Sequence, residues 1–250
     1  MTIHRFFVSS GQIKNNKVFF AGDSAKQITK VLRLKIGDKV IVLDNSGFEF
    51  LVKLQTEISG QVIGNIIKRT KNHAEPKTVI TLYQALTSRE KIETILQKCT
   101  EIGVSKFVPV ETKRSLLKVK DIKTDRLERF KKIIQEAAEQ SERGLIPEIS
   151  KPVKFEEAII KLGTQGLALC AWEEEKQNKL SDILAQDSKA KKVSIFIGPE
   201  GGFEKNEIIF AKKHRVVTIG LGPRILRTET ASPLLVGLIL YAKGDLDDTM

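Results

Sequence analysis

Three short, almost wholly apolar runs constrain the fold of this chain more than any other feature: residues 166–172 (GLALCAW), 193–198 (VSIFIG) and 215–220 (RVVTIG). A strand with one solvated face would alternate apolar and polar side chains, whereas these runs do not alternate. Runs of this kind are typical of strands that are buried on both faces, as in a parallel sheet flanked by helices. The sequence therefore predicts an α/β fold for the part of the chain that contains them.

Further strands and helices alternate in the same part of the chain, which favours a parallel sheet. The predicted strands are 78–86 (TVITLYQAL) and 106–110 (KFVPV). Apolar residues at helical spacing predict four helices: one from Thr87 or Ser88 to Gly103, one from Thr124, one over 155–162, and a last one from Pro233 to Gly244. The last helix is predicted to begin at Pro233 because proline is favoured in the first helical turn.

The first 70 residues have a different pattern, with short β-rich runs separated by Gly, Asn and Asp. Runs at this spacing predict a compact β-barrel, interrupted by one helix that Asp23 or Ser24 caps. A polar, basic segment that contains Pro76 follows. We therefore expect a β-barrel domain over 1–70, a linker over 71–77 and an α/β domain over 78–250.

The charge of the chain is positive and unevenly distributed. The net charge is +11; residues 1–74 have 12 Lys and Arg against 5 Asp and Glu, a balance of +7, while residues 75–250 have 30 against 26. A basic module suggests a polyanionic partner, nucleic acid first and an acidic membrane second. Plain solubility is the alternative explanation of the same charge.

Several classes of protein and site are excluded by what the sequence lacks. No apolar run approaches the ~20 residues that cross a bilayer, and the N-terminus has no signal-peptide pattern, so we expect a cytoplasmic protein without membrane contact. Cys99 and Cys170 lie in apolar-periodic segments and are expected to be buried free thiols, and the scattered histidines predict no metal site. Neither the Walker phosphate-binding pattern nor the dinucleotide fingerprint is present.

Each of the three apolar strands ends in a loop of unusual composition: 170–175 (CAWEEE), 198–204 (GPEGGFE) and 220–231 (GLGPRILRTETA). Ligands of parallel α/β sheets bind at the carboxyl ends of the strands, so these loops are candidates for a site. Glycines let the backbone approach a ligand closely. Glu200 would repel a phosphate, so the second loop is better suited to a cationic or neutral ligand; a simple tight turn between strand and helix is the alternative.

The third loop has the more specific pattern. Ile225 and Leu226 offer apolar surfaces to the faces of a flat ring such as adenine, and nearby backbone groups offer hydrogen bonds to its edge. In a purely structural interpretation, Arg227 and Glu229 form a local ion pair and Thr230 caps a helix. The two interpretations are compatible with each other.

The predicted long helix ends in polar residues beside two small ones, Ala137 and Ala138. Small residues suit close packing against another helix or a partner subunit, whereas Gln140 and Arg143 are long enough to reach a base or a phosphate. A solvated helix end is the alternative.

Six blocks occur in an order that resembles the RsmE family of 16S ribosomal RNA methyltransferases: HRFFV, VLRLKIGD, QKCTEIGV, EAAEQSERGLIPEI, IGPEGGF and LGPRILRTETA. They run from residue 4 to residue 231, so the resemblance covers nearly the whole chain. GPEGG alone is modest evidence, but six ordered blocks are specific. The chain departs from the expected QKATELGV-like block at Cys99 and Ile102, both conservative core changes, and SPLL after Ala231 is a local variation.

This resemblance implies a fold and an activity that the residue patterns alone do not reveal. The family belongs to the SPOUT superfamily, whose catalytic domain contains a deep trefoil knot, and a PUA-like barrel forms the N-terminal domain. Its members use S-adenosyl-L-methionine to methylate N3 of one uridine in 16S rRNA of the small ribosomal subunit, and they work as homodimers. A knot is nearly absent from proteins in general, and no periodicity predicts one.

The resemblance also implies which residues form the site. In a SPOUT knot the cofactor contacts the backbone of three loops, which by position follow Leu169, span Gly198–Gly202 and span Ile219–Leu226. The implied cofactor-binding residues are Leu169, Gly198, Pro199, Glu200, Gly201, Gly202, Ile219, Leu221, Gly222, Ile225 and Leu226. No metal ion is expected.

Methylation at N3 requires the removal of a proton that uridine does not lose readily at neutral pH. We therefore expect Arg227 to stabilise the uracil anion and Glu229 to accept or relay the proton, with Glu200 as the second candidate for the acid. The implied RNA-binding residues are Arg5, Arg33, Lys35, Arg114, Gln140 and Arg143, each of which is alternatively a solvated surface group. A catalytically silent RNA-binding or ribosome-assembly protein with the same fold is the alternative function.

Overall fold

The structure, a computed structural model, describes residues 3–58, 60–162 and 166–247. These residues form two compact units: the first contains the residues up to Glu75 together with Ala138–Ile146, and the second contains the others. The sequence predicted a linker over 71–77 and assigned every later residue, including 138–146, to the α/β domain. The ends of the two predicted domains at residues 1–2 and 248–250 lie outside the described residues.

The first unit is built on one six-stranded sheet. Its strands are β1 (Arg5–Phe7), β2 (Ile13–Lys14), β3 (Lys17–Phe20), β4 (Lys39–Leu43), β5 (Phe48–Ile58) and β6 (Gln61–Lys71). Their order in the sheet is β1-β4-β5-β6-β3-β2. β1 and β4 are parallel, and the other neighbours are antiparallel.

Two hydrophobic clusters lie in the first unit, because alternate residues of a strand point to opposite faces of the sheet. The smaller cluster contains Phe7, Ile41, Leu43 and Ala138, and the larger one fills the other face. Val40 and Val42 of β4 and Val52 of β5 are fully buried in it. The short helix α1 (Asp23–Lys26) and the π-helical turn that follows it contribute Ala25 and Ile28 to the same core. The predicted N-terminal β domain with one short helix is confirmed.

Two ion pairs tie residues 138–146 to the rest of the first unit. The guanidinium of Arg143 donates to both carboxylate oxygens of Glu75, at 3.2 Å from Nε and 2.6 Å from Nη2, and Arg143 is buried. Arg5 lies 2.7 Å from Glu49 and 2.9 Å from Glu142. Arg143 and Glu75 are 68 residues apart in the sequence. Local patterns therefore could not reveal that this segment belongs with the N-terminal strands.

The second unit contains a seven-stranded sheet in which all the neighbouring strands are parallel. Its strands are β7 (Val79–Ala85), β8 (Lys106–Glu111), β9 (Glu148–Ile149), β10 (Val153–Lys154), β11 (Leu167–Ala171), β12 (Lys192–Ile197) and β13 (Val217–Ile219). The order is β10-β8-β7-β12-β11-β13, and β9 pairs with β8. The predicted parallel α/β sheet is confirmed, and the trefoil knot stays a prediction.

The described residues of the second unit include five complete helices and most of a sixth. The helices are α2 (Arg89–Ile102), α3 (Thr124–Gln140), α4 (Phe155–Lys161), α5 (Leu180–Gln186), α6 (Lys205–Lys213) and α7 (Thr228–Ala242). The last residues of α3, 138–140, belong to the first unit. Apolar side chains pack α4 and α6 against the sheet. Phe196 of β12 meets Phe155 of α4 edge to face, with the ring centroids 5.8 Å apart. Ile208 of α6 is buried in the same cluster. The central strand β12 is thus covered by side chains from two helices.

The last helix begins earlier than predicted. α7 starts at Thr228, and Pro233 lies inside it. A proline at this position removes the one N–H that would donate to the carbonyl of Glu229. Leu235 and Ile239 of the same helix are fully buried, and this burial outweighs the loss of a single hydrogen bond.

Several other elements differ from the prediction because they are short or lie at a boundary. The strands β2, β9 and β10 and the helix α5 have too few residues to show a clear period. The N-cap of α1 is Gly22 rather than Asp23 or Ser24. β6 extends to Lys71, so it enters the segment in which the linker was predicted.

Cys99 and Cys170 are free and fully buried, as predicted. Burial raises the pKa of both thiols above the usual value, so neither is a reactive thiolate. Among the described residues, no helix is both long enough and apolar enough to cross a membrane.

We expect Arg143→Met to lower the free energy of unfolding by about 3 kcal/mol, because it leaves the carboxylate of Glu75 without its buried counter-charge. Urea denaturation followed by circular dichroism measures this change. Lys26→Met is the matched control, since its ion pair with Asp23 is long, at 3.9 Å, and exposed; its effect should stay within about 1 kcal/mol. Equal effects of the two substitutions would contradict a structural role for Arg143.

Candidate active site

A cavity of about 330 Å³ opens where β11, β12 and β13 end. Because these strands are parallel, their carboxyl ends lie at one edge of the sheet and the loops that follow them converge. The size of the cavity is in the range of small-molecule sites. It is lined by Ala171, Trp172, Glu173, Ile197, Gly198, Pro199, Glu200, Gly201, Gly202, Phe203, Gly220, Leu221, Gly222, Pro223, Arg224, Ile225, Leu226, Thr228 and Ala231.

The loop after β12 turns sharply at its glycines. The N–H of Gly202 donates to the carbonyl oxygen of Pro199 at 3.0 Å, and Gly202 has a φ of 67°, in the left-handed region. A Cβ atom at this position would collide with the carboxylate of Glu173. Glycine is therefore favoured here by the backbone conformation, and a larger residue would also displace the carboxylate of Glu173.

The loops after β11 and β13 touch at Gly220, where a Cβ atom would lie 2.6 Å from the carbonyl oxygen of Glu175. The carboxylate of Glu175 fixes the first of these loops. It accepts hydrogen bonds from Thr218 Oγ1 at 2.5 Å and from the N–H of Gln177 at 3.0 Å, and it lies 3.3 Å from Nζ of Lys212. The hydrogen bond from Thr218, chief among these contacts, lowers the pKa of Glu175 to about 2.

A buried polar network lies behind the cavity and joins three elements. Gln84, near the end of β7, donates through Nε2 to Thr228 Oγ1 at 3.0 Å, and Thr228 Oγ1 donates to the carbonyl oxygen of Gly198 at 2.8 Å. Ser232 Oγ donates to Gln84 Oε1 at 2.6 Å. All three side chains are buried, so the network fixes the first turn of α7 against the ends of β7 and β12.

A lysine lies between the two acids that are candidates for proton transfer. Nζ of Lys91 is 3.3 Å from Glu200 Oε1 and 3.5 Å from Glu229 Oε2. Arg227 is exposed at the N-cap of α7 and takes part in none of the ion pairs found among the described residues. The local ion pair between Arg227 and Glu229 is thus not formed, and Glu229 pairs with Lys91 instead.

The charges around the cavity are mixed. Glu173 and Glu200 line it, and the exposed side chain of Arg224 lies at its rim. In the part of the chain that the structure describes, no cluster of three or more His, Cys, Asp or Glu side chains is arranged to hold a metal ion. Two carboxylates, of which Glu200 is paired with Lys91, and one guanidinium therefore line the cavity.

Two family models match the chain. The model of the RNA methyltransferase domain matches residues 74–240, and that of the RNA methyltransferase PUA domain matches residues 21–67. The chain is also 33% identical to Ribosomal RNA small subunit methyltransferase E of Bacillus subtilis over 247 residues, which cover 96% of each sequence. The chain belongs to the ribosomal RNA small subunit methyltransferase E family.

Two solved structures are similar to this chain over almost their full lengths. Ribosomal RNA small subunit methyltransferase E from Neisseria gonorrhoeae, bound to S-adenosyl methionine, has a TM-score of 0.88 and 26% identity, with 99% of this chain and 100% of that chain covered. A methyltransferase from Legionella pneumophila in complex with the same cofactor has a TM-score of 0.89 and 26% identity, with coverage of 97% and 98%. The fold of the methyltransferase E family therefore includes both units of this chain.

Most residues that the resemblance to this methyltransferase family implied for cofactor binding line the cavity; Leu169 and Ile219 do not. Those two are fully buried inside β11 and β13. Ile225, by contrast, has 89% of its surface exposed, which leaves a large apolar side chain available at the cavity. That the lining residues bind the cofactor stays a prediction.

The predicted RNA-binding residues of the first unit differ in their exposure. Arg33, Lys35 and Gln140 are exposed. Arg5 and Arg143 are engaged in the ion pairs described above, which gives them a structural role, because binding a phosphate would compete with those pairs. Their predicted contact with RNA has no support in this placement.

Arg114, the remaining RNA-binding candidate, contacts a loop that lines the cavity. Its Nη1 donates to the carbonyl oxygen of Gly201 at 2.8 Å, and its Nε lies 3.8 Å from Glu204. About half of the side chain is exposed, so it supports the loop and still faces solvent. Its contact with RNA stays a prediction.

Sequence reasoning missed several residues that shape this methyltransferase site, because their partners are distant in the chain. Glu207 is buried and accepts hydrogen bonds from the N–H groups of Glu204 and Lys113, both at 2.9 Å. Lys91 and Gln84 were missed for the same reason. The one available signal was a glutamine inside the otherwise apolar run LYQAL, since buried polar side chains need partners.

We expect Thr218→Val to raise the pKa of Glu175 from about 2 toward its ordinary value of 4.5, because the variant loses the strongest donor to that carboxylate. Since the pKa is lower in the folded state, this hydrogen bond adds stability above pH 4.5 that is lost as the pH falls toward 2. Carboxyl carbon NMR across a pH titration measures the shift. The pKa of Glu49 in the first unit is the internal control and should not move; an unchanged pKa of Glu175 would contradict the assignment.

Proposed function

We propose that this chain transfers a methyl group from S-adenosyl-L-methionine to N3 of one uridine in 16S rRNA of the small ribosomal subunit. The observation that carries the proposal is the cavity at the carboxyl ends of parallel strands, walled by two glycine-rich loops and reached by the first turn of α7. Family membership supports it, since the relatives are named for methylation of ribosomal RNA and two similar structures contain S-adenosyl methionine.

The cavity fits this cofactor in both charge and surface. S-adenosyl-L-methionine carries a positive sulfonium, and Glu173 and Glu200 line the cavity. Ile225 and Leu226 offer apolar surface to an adenine ring, while Gly220 allows the loops after β11 and β13 to approach each other closely. The proposed cofactor contacts are those of the three loops, made largely through backbone groups.

When bound, the cofactor supplies a methyl group that the neighbouring sulfonium makes electrophilic. The side chains of the site must hold the uracil ring in line with that group and must deal with the proton on N3. Arg227 is exposed and forms no ion pair with a described residue, so its guanidinium is available to negative charge that develops on the uracil. Glu229 is the proposed proton acceptor, and Glu200 is the second candidate.

The first unit is the proposed contact for RNA phosphates. Its sequence has an excess of positive charge, and Arg33 and Lys35 are exposed on it. Gln140, also exposed, is proposed to reach the RNA beside them. Phosphate contacts set the affinity for RNA, whereas the base in the cavity determines the reaction. Since the substrate is ribosomal RNA, the proposed location is the cytoplasm.

A homodimer is part of the proposal. Helix α7 is almost wholly apolar, yet Leu234, Leu238 and Tyr241 keep 41%, 40% and 65% of their surfaces exposed. They lie at positions i, i+4 and i+7, so they share one face of the helix. A second copy of the chain would cover this apolar stripe. Light scattering at micromolar concentration checks this, and a fully active monomer would rule it out.

The function is tested by incubating the purified chain with 16S rRNA and isotope-labelled S-adenosyl-L-methionine, followed by nuclease digestion and mass spectrometry. We expect one labelled uridine that carries the methyl group on N3. A catalytically silent RNA-binding protein, the alternative, would retain RNA and leave it unlabelled. A label on the ribose or on a ring carbon would contradict the proposed reaction.

We expect Arg227→Ala to lower the single-turnover rate of methyl transfer about a hundredfold, because it removes a positioned charge that acts in the transition state. Affinities for cofactor and RNA should change less than about threefold, since this interaction develops only during the reaction. Lys213→Ala, which also removes an exposed cation, is the control and should keep the rate. A loss of RNA affinity with an unchanged rate would assign Arg227 to binding instead.

A further inference from the structure

Lys91 connects three elements around the active site. It lies in the first turn of α2, and its ammonium is 3.3 Å from Glu200 in the loop after β12 and 3.5 Å from Glu229 in the first turn of α7. The side chains are largely buried, with 29%, 27% and 22% of their surfaces exposed for Lys91, Glu200 and Glu229. Two carboxylates and one ammonium thus form a compact group that is partly shielded from water.

The burial of Glu229 makes this contact more than a surface ion pair. Its Oε2 atom is buried and has no hydrogen-bond partner among the described residues. The ammonium of Lys91 at 3.5 Å is the counter-charge of that oxygen. Removing one partner of a shielded ion pair leaves an uncompensated charge, so loss of Lys91 would push the two carboxylates apart or toward solvent.

A displacement of the two carboxylates would change the positions of the residues that are proposed to take part in catalysis. Glu200 lines the cavity, so its displacement changes the cavity wall. Glu229 follows Arg227 by two residues at the start of α7, and the two residues flank Thr228, which lines the cavity. Two sets of contacts therefore fix the first turn of α7: the ion pair between Lys91 and Glu229, and the buried hydrogen bonds of Thr228.

We propose that Lys91 is a positioning residue for methyl transfer: it holds Glu200 and Glu229 together and thereby sets the arrangement of the cavity loop and the first turn of α7. This inference rests on the proposed function, since it acts through the groups that were assigned to the reaction there. Lys91 itself is not assigned a contact with the cofactor or with the RNA.

Lys91→Met is the central variant, because methionine keeps most of the length of the side chain and removes the charge. We expect the single-turnover rate at saturating cofactor and RNA to fall at least about tenfold, while RNA affinity stays within about twofold. Lys91→Arg should restore the rate to within about threefold of the wild type, because its guanidinium can contact both carboxylates. Lys98→Met, on the same helix, is the matched control, since Lys98 is half exposed and pairs with Glu101.

A double-mutant cycle with Glu229→Gln separates positioning from a loss of stability. If Lys91 acts through the carboxylate of Glu229, Lys91→Met should lower the rate less in the Glu229→Gln background than in the wild type. The fold-loss in the wild type should be at least about five times the fold-loss in that background. A purely structural role would give equal losses in both backgrounds and no rescue by arginine. The melting temperature of each variant shows that the comparison is made between folded proteins, and Lys91→Gln replaces Lys91→Met in the cycle if the methionine variant does not fold.

The outcomes separate this inference from the proposed function. Suppose that the wild-type chain methylates the uridine. If Lys91→Met keeps its rate, or lowers the rate by the same factor in the wild-type and Glu229→Gln backgrounds, the role of Lys91 is wrong and the proposed function stands. If Lys91→Met loses RNA affinity rather than rate, Lys91 is a phosphate contact and the inference is again wrong. If the wild-type chain transfers no methyl group to rRNA, the proposed function fails and the role of Lys91 fails with it.

Discussion

Parallel pairing of β7, β12, β11 and β13 is the constraint on which the site depends. The register aligns Cys170 of β11 with Phe196 of β12 and Ala171 of β11 with Ile219 of β13, so these strands end at nearly the same level. Parallel strands put their carboxyl ends at one edge of a sheet, and the loops that leave them must meet there. The cavity is therefore placed by the sheet before any of its residues touches a ligand.

The loops stay open around that cavity because buried polar groups support them from behind. Gln84, Thr228 and Ser232 hold the first turn of α7, and the charged carboxylate of Glu175 holds the loop after β11. Groups of this kind are costly to bury unless all their partners are present, so they tolerate few alternative arrangements. The side chains of Ile225 and Arg227 are different, because both are exposed and Arg227 forms no ion pair with a described residue. Buried polar groups thus fix the loops, while Ile225 and Arg227 stay exposed. This arrangement is expected of a binding site that is preorganised before its ligand binds.

How far the sequence could predict this structure depends on how local each signal is. The apolar strands β11, β12 and β13 and the glycine-rich loops after them could be recognised, because composition and strand ends are properties of a few consecutive residues. Contacts between distant residues left no such signal. Arg5 and Arg143 looked like surface cations, since nothing near them in the sequence reveals Glu49, Glu142 or Glu75 as partners. Lys91 was missed for the same reason. The prediction that the last helix begins at Pro233 was wrong, because the tertiary burial of α7 overrides the preference of proline for the first turn of a helix.

The charges of the site also explain why net charge alone says so little about chemistry. The cofactor is a cation and the RNA is a polyanion, so the two reactants require opposite potentials within a short distance. The excess of +7 in residues 1–74 favours a polyanionic partner, and at physiological ionic strength each exposed charge acts over only about 8 Å. At the cavity the balance is therefore local: Glu173, Glu200 and Arg224 line it, and Arg227, which lies between the lining residues Leu226 and Thr228 in the sequence, is exposed. Lys91 offsets part of the negative charge of Glu200 and Glu229, so that these acids do not repel the approaching nucleotide. Net charge favours a polyanionic partner, whereas the proposed reaction depends on the few charges around the three loops.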